Sequence, residues 1–362
     1  MLGDPLMSVR AALLTTTNTT GGDARSGVGG NEIQKMIDRF IIDDVNTAVD
    51  FIPRVARKPI PAGNLIFQWN LKYDLGSTSK AAFYTEGASG TPFGSRQIQL
   101  FAPAKGLRSD YAVSGLMQSA AFYDILGDEA TDALREMQLV EEKACLCGTD
   151  TSAYGVASAY DGLLQLMGSN ATFTDTDTIY GTPRATARDE LDVSLVAAGA
   201  TTQDALDLKD LDSAIQKSND AGGKGAKRIW LCSTAREFEI NQLLQPQGRF
   251  VIGAGSMEIE GGTKVSTYFA IPIVGSRFMD KNGITWNGSS KTKSYTDAAM
   301  YLLDMDVINF RVLNGVDKLH IPILGNSTAI RSDEIGGWFR TYGTFAMQKF
   351  RTSVLIYNLS VP

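Results

Sequence analysis

The chain contains one histidine, His320, and three cysteines, Cys145, Cys147 and Cys232, and that scarcity bounds the chemistry it can carry. Metal sites built on several imidazoles are excluded. Cys145 and Cys147 find no further thiol or histidine in their neighbourhood to complete a zinc site. A Ser–His or Cys–His nucleophile would have to use His320, which lies beside Pro322 in a short apolar stretch with no local signature; it reads as a packing or surface residue. Asp304, Met305 and Asp306 have the spacing that holds a metal beside a sugar nucleotide in glycosyltransferases, but on a strand the two carboxylates read as an exposed edge. Gly222, Gly223, Lys224 and Gly225 lack the spacing of a phosphate loop and read as a helix stop and turn. Gly253, Ala254 and Gly255 begin like a dinucleotide fingerprint, with Glu258 where the third glycine is needed. No catalytic residue, metal or cofactor is assigned.

Three cysteines make no disulfide framework and read as free thiols of a reducing compartment. No apolar run approaches the roughly 20 residues of a membrane helix, and the start of the chain, with Asp4 and Pro5, does not read as a signal peptide. At 362 residues with 43% hydrophobic and 20% charged residues, the composition is that of a folded protein with two lobes or a core bearing large excursions.

Charge is unevenly placed. Residues 51–109 carry eight Lys or Arg against Asp74 and Glu86, a net of +6 in a chain of net −6. Aromatic residues interleave with these charges, which invites comparison with a nucleic-acid groove. They alternate as a strand face, however, and that favours packing against protein over base stacking.

The elements that would position these residues can be read in order. Residues 15–30 are rich in Thr, Gly and Ser and predict an arm that only contacts with other copies would order; residues 31–44 have helical apolar spacing. Phe67, Trp69, Leu71, Tyr73 and Leu75 alternate with polar residues, which predicts a strand, and residues 98–101 predict its return after a tip over 76–94. No partner for the apolar face of this hairpin is evident nearby. Apolar spacing over 128–145, Asp128 as N-cap and Gly148 as stop predict a long amphipathic helix. A short strand is expected over 163–167, then a polar connection over 173–188. Further on come a helix from Leu208 closed by Gly222 and Gly223, a strand over 229–232, a helix over 235–244, and strand-rich stretches over 265–273, 300–313 and 338–359.

This order of elements, with EMQLVEEKACLCG (136–148), DGLLQLMG (161–168), KVSTYFAIPIVGSRFM (264–279), YLLDMDVINFRVL (301–313) and GTFAMQKFRTSVLIYNLS (343–360), resembles the Hong Kong 97-type major capsid proteins of tailed double-stranded DNA viruses. The resemblance implies an α+β capsid fold: an N-terminal arm (1–54), an extended hairpin loop (55–109), a peripheral domain with a spine helix (110–200), an axial domain (201–283) and return strands mainly of the peripheral domain (284–362). It implies a structural subunit, not an enzyme, that forms hexamers and pentamers of an icosahedral shell around double-stranded DNA. It further implies a portal, decoration proteins in some shells, assembly in a host cytoplasm and, since only about fifty residues precede the hairpin, a separate scaffold. An encapsulin-like cargo compartment is the alternative within this architecture, and an α/β enzyme the alternative outside it. Some relatives crosslink through a lysine of the loop; Lys72 and Lys80 lie there, but their context shows no activated amine, so non-covalent assembly is expected.

The charge split predicts which surfaces meet. The helix over 128–145 carries Asp128, Glu129, Asp132, Glu136, Glu141 and Glu142 against Arg135 and Lys143. A basic hairpin with Arg54, Arg57, Lys58, Lys72 and Lys80 and an apolar face of Phe67, Trp69, Leu71 and Tyr73 is expected to lie over the acidic helix of a neighbouring copy.

Overall fold

The computed structural model describes residues 49–61, 64–74, 96–120, 124–148, 159–167, 178–183, 191–199, 204–244, 256–259, 263–279, 284–287, 292–295, 299–323 and 334–360. The expected arm, the helix over 31–44, the hairpin tip with Lys80 and the glycine loop over 253–255 lie outside these. Contacts divide the chain into two units. Unit 1 is Met1–Thr47, Arg108–Met137 and His320–Phe339; unit 2 is Ala48–Leu107, Gln138–Leu319 and Arg340–Pro362.

Unit 2 contains a seven-stranded mixed sheet. Its order is Ser194–Ala197, Val354–Tyr357, Met300–Asp304, Arg228–Cys232, Ile271–Gly275, Thr263–Tyr268, Ser256–Ile259. Its central strands are near-continuous apolar runs because both faces are covered. Ile229, Leu231, Tyr301, Leu303 and Leu355 enter one core. Trp230, Cys232, Met300, Leu302, Val354 and Ile356 enter a second, which also holds Leu211 and Ala214 of the helix Leu208–Ser218 and Ile240 and Leu244 of the helix Thr234–Leu244. The expected stop after the first helix is present: the chain turns through Asn219–Gly223 with Gly222 at φ 88°, a conformation that favours glycine.

A second sheet in unit 2 pairs Ala56–Pro59 parallel to Ile308–Val312, which in turn runs antiparallel to residues 343–347 of the strand Glu334–Met347. The hairpin is present as Ile66–Asp74 and Arg96–Pro103. Its base has a partner after all. Leu100 and Ala102 are buried, and Trp69, Leu71 and Ile98 pack on the main core. Tyr180 meets Trp69 edge to face at 4.9 Å, and its hydroxyl donates to Phe345 O and accepts from Met347 N–H, both at 3.0 Å. That partner lies more than a hundred residues away in sequence, so local pattern could not reveal it.

One short element differs from expectation. Residues 163–167 are not a strand: Leu163–Leu166 is a single buried helical turn, since a brief apolar run does not separate the two by periodicity.

The long helix spans Ile125–Cys147, with Ile125–Met137 assigned to unit 1 and the rest to unit 2. It starts before Asp128 because Asp124 caps it, accepting from Gly127 N–H at 3.0 Å; the helix-weakening Gly127 hid this start in the sequence. Gly148 ends it as expected, bonding to Ala144 O at 2.7 Å.

In unit 1, residues of the strands Lys105–Ser114 and Leu319–Ile323 pair with the first part of Glu334–Met347. A Cβ on Gly336 would sit 2.2 Å from Tyr111 O, so only glycine lets these backbones approach. Among the described residues, no helix is long and apolar enough to cross a membrane.

Candidate assembly surfaces

Two consecutive glutamates of the long helix are turned inward within unit 2: Glu141 is 1% and Glu142 0% exposed. Neighbouring helix positions point about 100° apart, so the two carboxylates reach different parts of the segment 50–58. Glu142 accepts from the N–H groups of Asp50 at 3.0 Å, Phe51 at 3.3 Å and Ile52 at 3.4 Å, and from Ser276 Oγ at 3.4 Å. These N–H groups open the short 3-10 helix Ile52–Arg54 and have no partner of their own within it. Glu141 Oε2 accepts from Arg57 Nη2 at 2.5 Å and has Lys318 Nζ at 3.9 Å, while Arg57 Nη1 donates to Asp317 Oδ1 at 2.6 Å. Burial raises the pKa of both glutamates, opposed at Glu142 by the backbone N–H groups and at Glu141 by Arg57 and Lys318. Arg54 is also held locally, its Nε donating to Asp50 O at 2.8 Å, and burial lowers its pKa.

The opposite face of the second sheet is built differently. Lys58 is the lateral partner of Arg311, and Arg311 of Thr344, so these side chains share a face. Alternation puts Tyr342 and Arg340 on that face too. Part of it is covered by a small cluster of Ile60, Phe67 and Ala346. Arg311 lies 4.2 Å from the Phe67 ring centroid and Arg340 5.8 Å from that of Tyr342. Their Nε–H groups are buried without an acceptor, and neither guanidinium has a carboxylate partner among the described residues. Burial lowers the pKa of Arg311. Lys58 and Tyr342 are exposed.

In unit 1 the first half of the long helix shows an acidic ridge. Asp124, Asp128, Asp132 and Glu136 recur every four residues and all are exposed; Asp132 pairs with Arg135 at 3.2 Å.

Of the contact residues expected from sequence, Lys58, Lys72, Asp128, Asp132 and Glu136 face solvent, and Arg54, Trp69, Leu71 and Glu129 are half-buried. Phe67 is 6% exposed. Arg57 and Glu141 meet each other inside one chain. The side chain of Tyr73 and all of Lys80 lie outside the description. The sequence reading missed Arg311, Arg340 and Tyr342; the signal was an alternation of Trp338, Arg340 and Tyr342 along one strand.

The expected exposed acidic edge is corrected at Asp304, which is 3% exposed. It ends a central strand, where its N–H donates to Ser353 Oγ at 3.3 Å and its Oδ1 accepts from Asp306 N–H at 3.1 Å. His320 is exposed, hydrogen-bonded to Tyr111 Oη at 2.6 Å and stacked on Phe339 at 4.8 Å.

The mixed sheet, the second sheet, the long helix and the hairpin make up a fold of the Hong Kong 97 type, and the comparisons agree. The cyanophage A-1(L) capsid subunit superposes with a TM-score of 0.61 at 14% identity, covering 87% of this chain and 97% of that one. The capsid of an empty GTA particle gives 0.57 at 12% identity, covering 94% and 100%. The SrpI encapsulin from Synechococcus elongatus gives 0.55 at 10% identity, covering 90% and 94%. No curated protein sequence matches. The family model of the SU10 major capsid protein matches residues 14–329, and the chain belongs to that family. It is a shell-forming phage capsid protein of the virion, and the encapsulin-like alternative is not favoured.

Proposed function

We propose that copies of this chain form the hexamers and pentamers of an icosahedral shell that encloses double-stranded DNA, held mostly without sequence preference on the interior. The subunit acts without catalysis. A separate scaffold and a portal assist assembly in the host cytoplasm, and decoration proteins join some shells. Residues 110–200 and the return strands serve as the peripheral domain, 201–283 as the axial domain, and 55–109 as the extended loop toward a neighbour. The observation that carries this reading is the length of the likeness, residues 14–329 to one major capsid family with 97% of a phage capsid subunit covered.

Among the contact candidates, Lys58 and Lys72 on one copy and Asp128, Asp132 and Glu136 on the next face solvent and take part in non-covalent contacts. The half-buried Trp69 and Leu71 frame the hairpin base. Exposed pairs are each worth about 0 to 1 kcal/mol, so many weak contacts repeated over a closed surface must act together.

Electron microscopy of particles formed by the full chain tests the reading. Closed shells with fivefold and sixfold clusters are expected, and DNA in native particles should be shielded from nuclease. Particles that are only open sheets or single rings would refute it.

A further inference from the structure

The sheet of unit 2 that carries Arg57 on one face carries Arg311 on the other, and the second face is only half covered. Its open part presents four side chains: Lys58, Arg311, Arg340 and Tyr342. Lys58 and Arg311 stand side by side at laterally paired positions, an arrangement of like charges that disfavours the sheet unless an anion lies across them. The Cζ atoms of Arg311 and Arg340 lie over aromatic rings, 4.2 Å from the centroid of Phe67 and 5.8 Å from that of Tyr342. Stacking fixes the plane of a guanidinium and leaves its edge, a fork of N–H donors, pointing outward. The Nε–H groups are already withdrawn from solvent and lack an acceptor among the described residues. A buried donor without a partner costs free energy. The face thus presents cations for which the described residues supply no carboxylate.

The same chain bears the complementary surface. Asp128, Asp132 and Glu136 recur at four-residue spacing on the exposed side of the long helix, and like charges at that spacing disfavour a helix. Along the helix these carboxyl-bearing positions are about 6 Å apart. Arg340 lies four positions from Thr344, the lateral partner of Arg311, about 13 Å along the strand, a span close to the roughly 12 Å from Asp128 to Glu136.

We propose that the open sheet face around Arg311 and Arg340 is the seat for the acidic ridge of Asp128, Asp132 and Glu136 on a second copy of this chain. Docking sets carboxylates against the partly exposed guanidiniums and Lys58, and forked arginine donors fit carboxylates bidentately. The contact is heterologous, one patch against a different one, which suits rings and shells. This inference rests on the shell reading above and names the surfaces that join two subunits.

The test uses two full-length variants and their combination. R311E/R340E carries acid on both surfaces, and D132R/E136R carries base on both. Each alone is expected to lower particle yield by roughly tenfold or more, because like charges then face each other. A chain carrying all four substitutions is expected to recover particles, since every ridge then meets an opposite seat on its neighbour. Unchanged melting of the unassembled variants shows that they fold. Normal particles from either variant alone overturn the proposal, and so does a folded four-substitution chain that fails to recover them. Normal shells from R311E/R340E that retain less DNA would assign the face to phosphate instead. Wild-type chain that never closes a shell would overturn the shell reading and this inference with it.

Discussion

Arg57 and Arg311 sit on neighbouring strands of one sheet, with Arg57 beside Phe310 and Lys58 beside Arg311, yet they face opposite ways and into opposite circumstances. Arg57 has Phe310 at 4.9 Å beneath it and two carboxylates at its edge, one of them buried. Arg311 has an aromatic ring beneath it and no carboxylate among the described residues. Both are cations stacked on a ring. One is used up in holding the fold, while the other is left to meet something else. An arginine that closes its ion pair inside the chain contributes to stability, and one that stacks without closing a pair marks a surface for a partner.

Removing Arg57 should have the largest effect on the free subunit. R57A leaves the Glu141 carboxyl 1% exposed and with Lys318 3.9 Å away. Losing one partner of a buried pair costs about 3–5 kcal/mol. Denaturant melting of the unassembled subunit measures this. A loss below about 1 kcal/mol would place Arg57 with the surface residues and dissolve the contrast.

The contrast between the two arginines was only half legible in the sequence. Periodicity gave the long helix, the hairpin strands and the central strands, because each has a strong apolar repeat. It assigned all six acids of the helix to one outward purpose. What it could not show is that the second half of the helix turns Glu141 and Glu142 inward, since their partners, Asp50 to Ile52 and Arg57, lie about ninety residues away. Arg311 escaped notice for the opposite reason. In a run of apolar residues, a single arginine looks like interruption until the sheet register puts Lys58 beside it.

A change of pH sharpens the comparison next. Burial raises Glu141 and Glu142 above the usual 4.5, so the folded chain holds their protons to higher pH than the unfolded chain does. Between the unfolded and folded values the unfolded chain binds fewer protons, and the stability from these groups falls as pH rises through that window. Calorimetry should show E142Q losing its share of this slope, while R311E/R340E, which leaves both glutamates untouched, keeps it. A stability that rises with pH across the window in wild type but not in E142Q would reverse the assignment.

The smallest effect on the free subunit is expected from R311A, and that smallness is informative. The substitution removes a stacked cation over Phe67, worth about 0.5–1 kcal/mol at a partly exposed site. It also removes an Nε–H that lacks an acceptor and a charge beside Lys58, and both losses favour the fold. These terms oppose one another, so the melting of unassembled R311A should lie within about 1 kcal/mol of wild type. If Arg311 serves only the fold, assembly should follow that small change and no more. If it serves a neighbour, particle yield should fall far beyond what the altered stability explains, and R311K, which keeps the charge but lacks the planar fork, should restore only part of it. Yield and melting that move together in R311A would place Arg311 beside Arg57 as a residue of the fold.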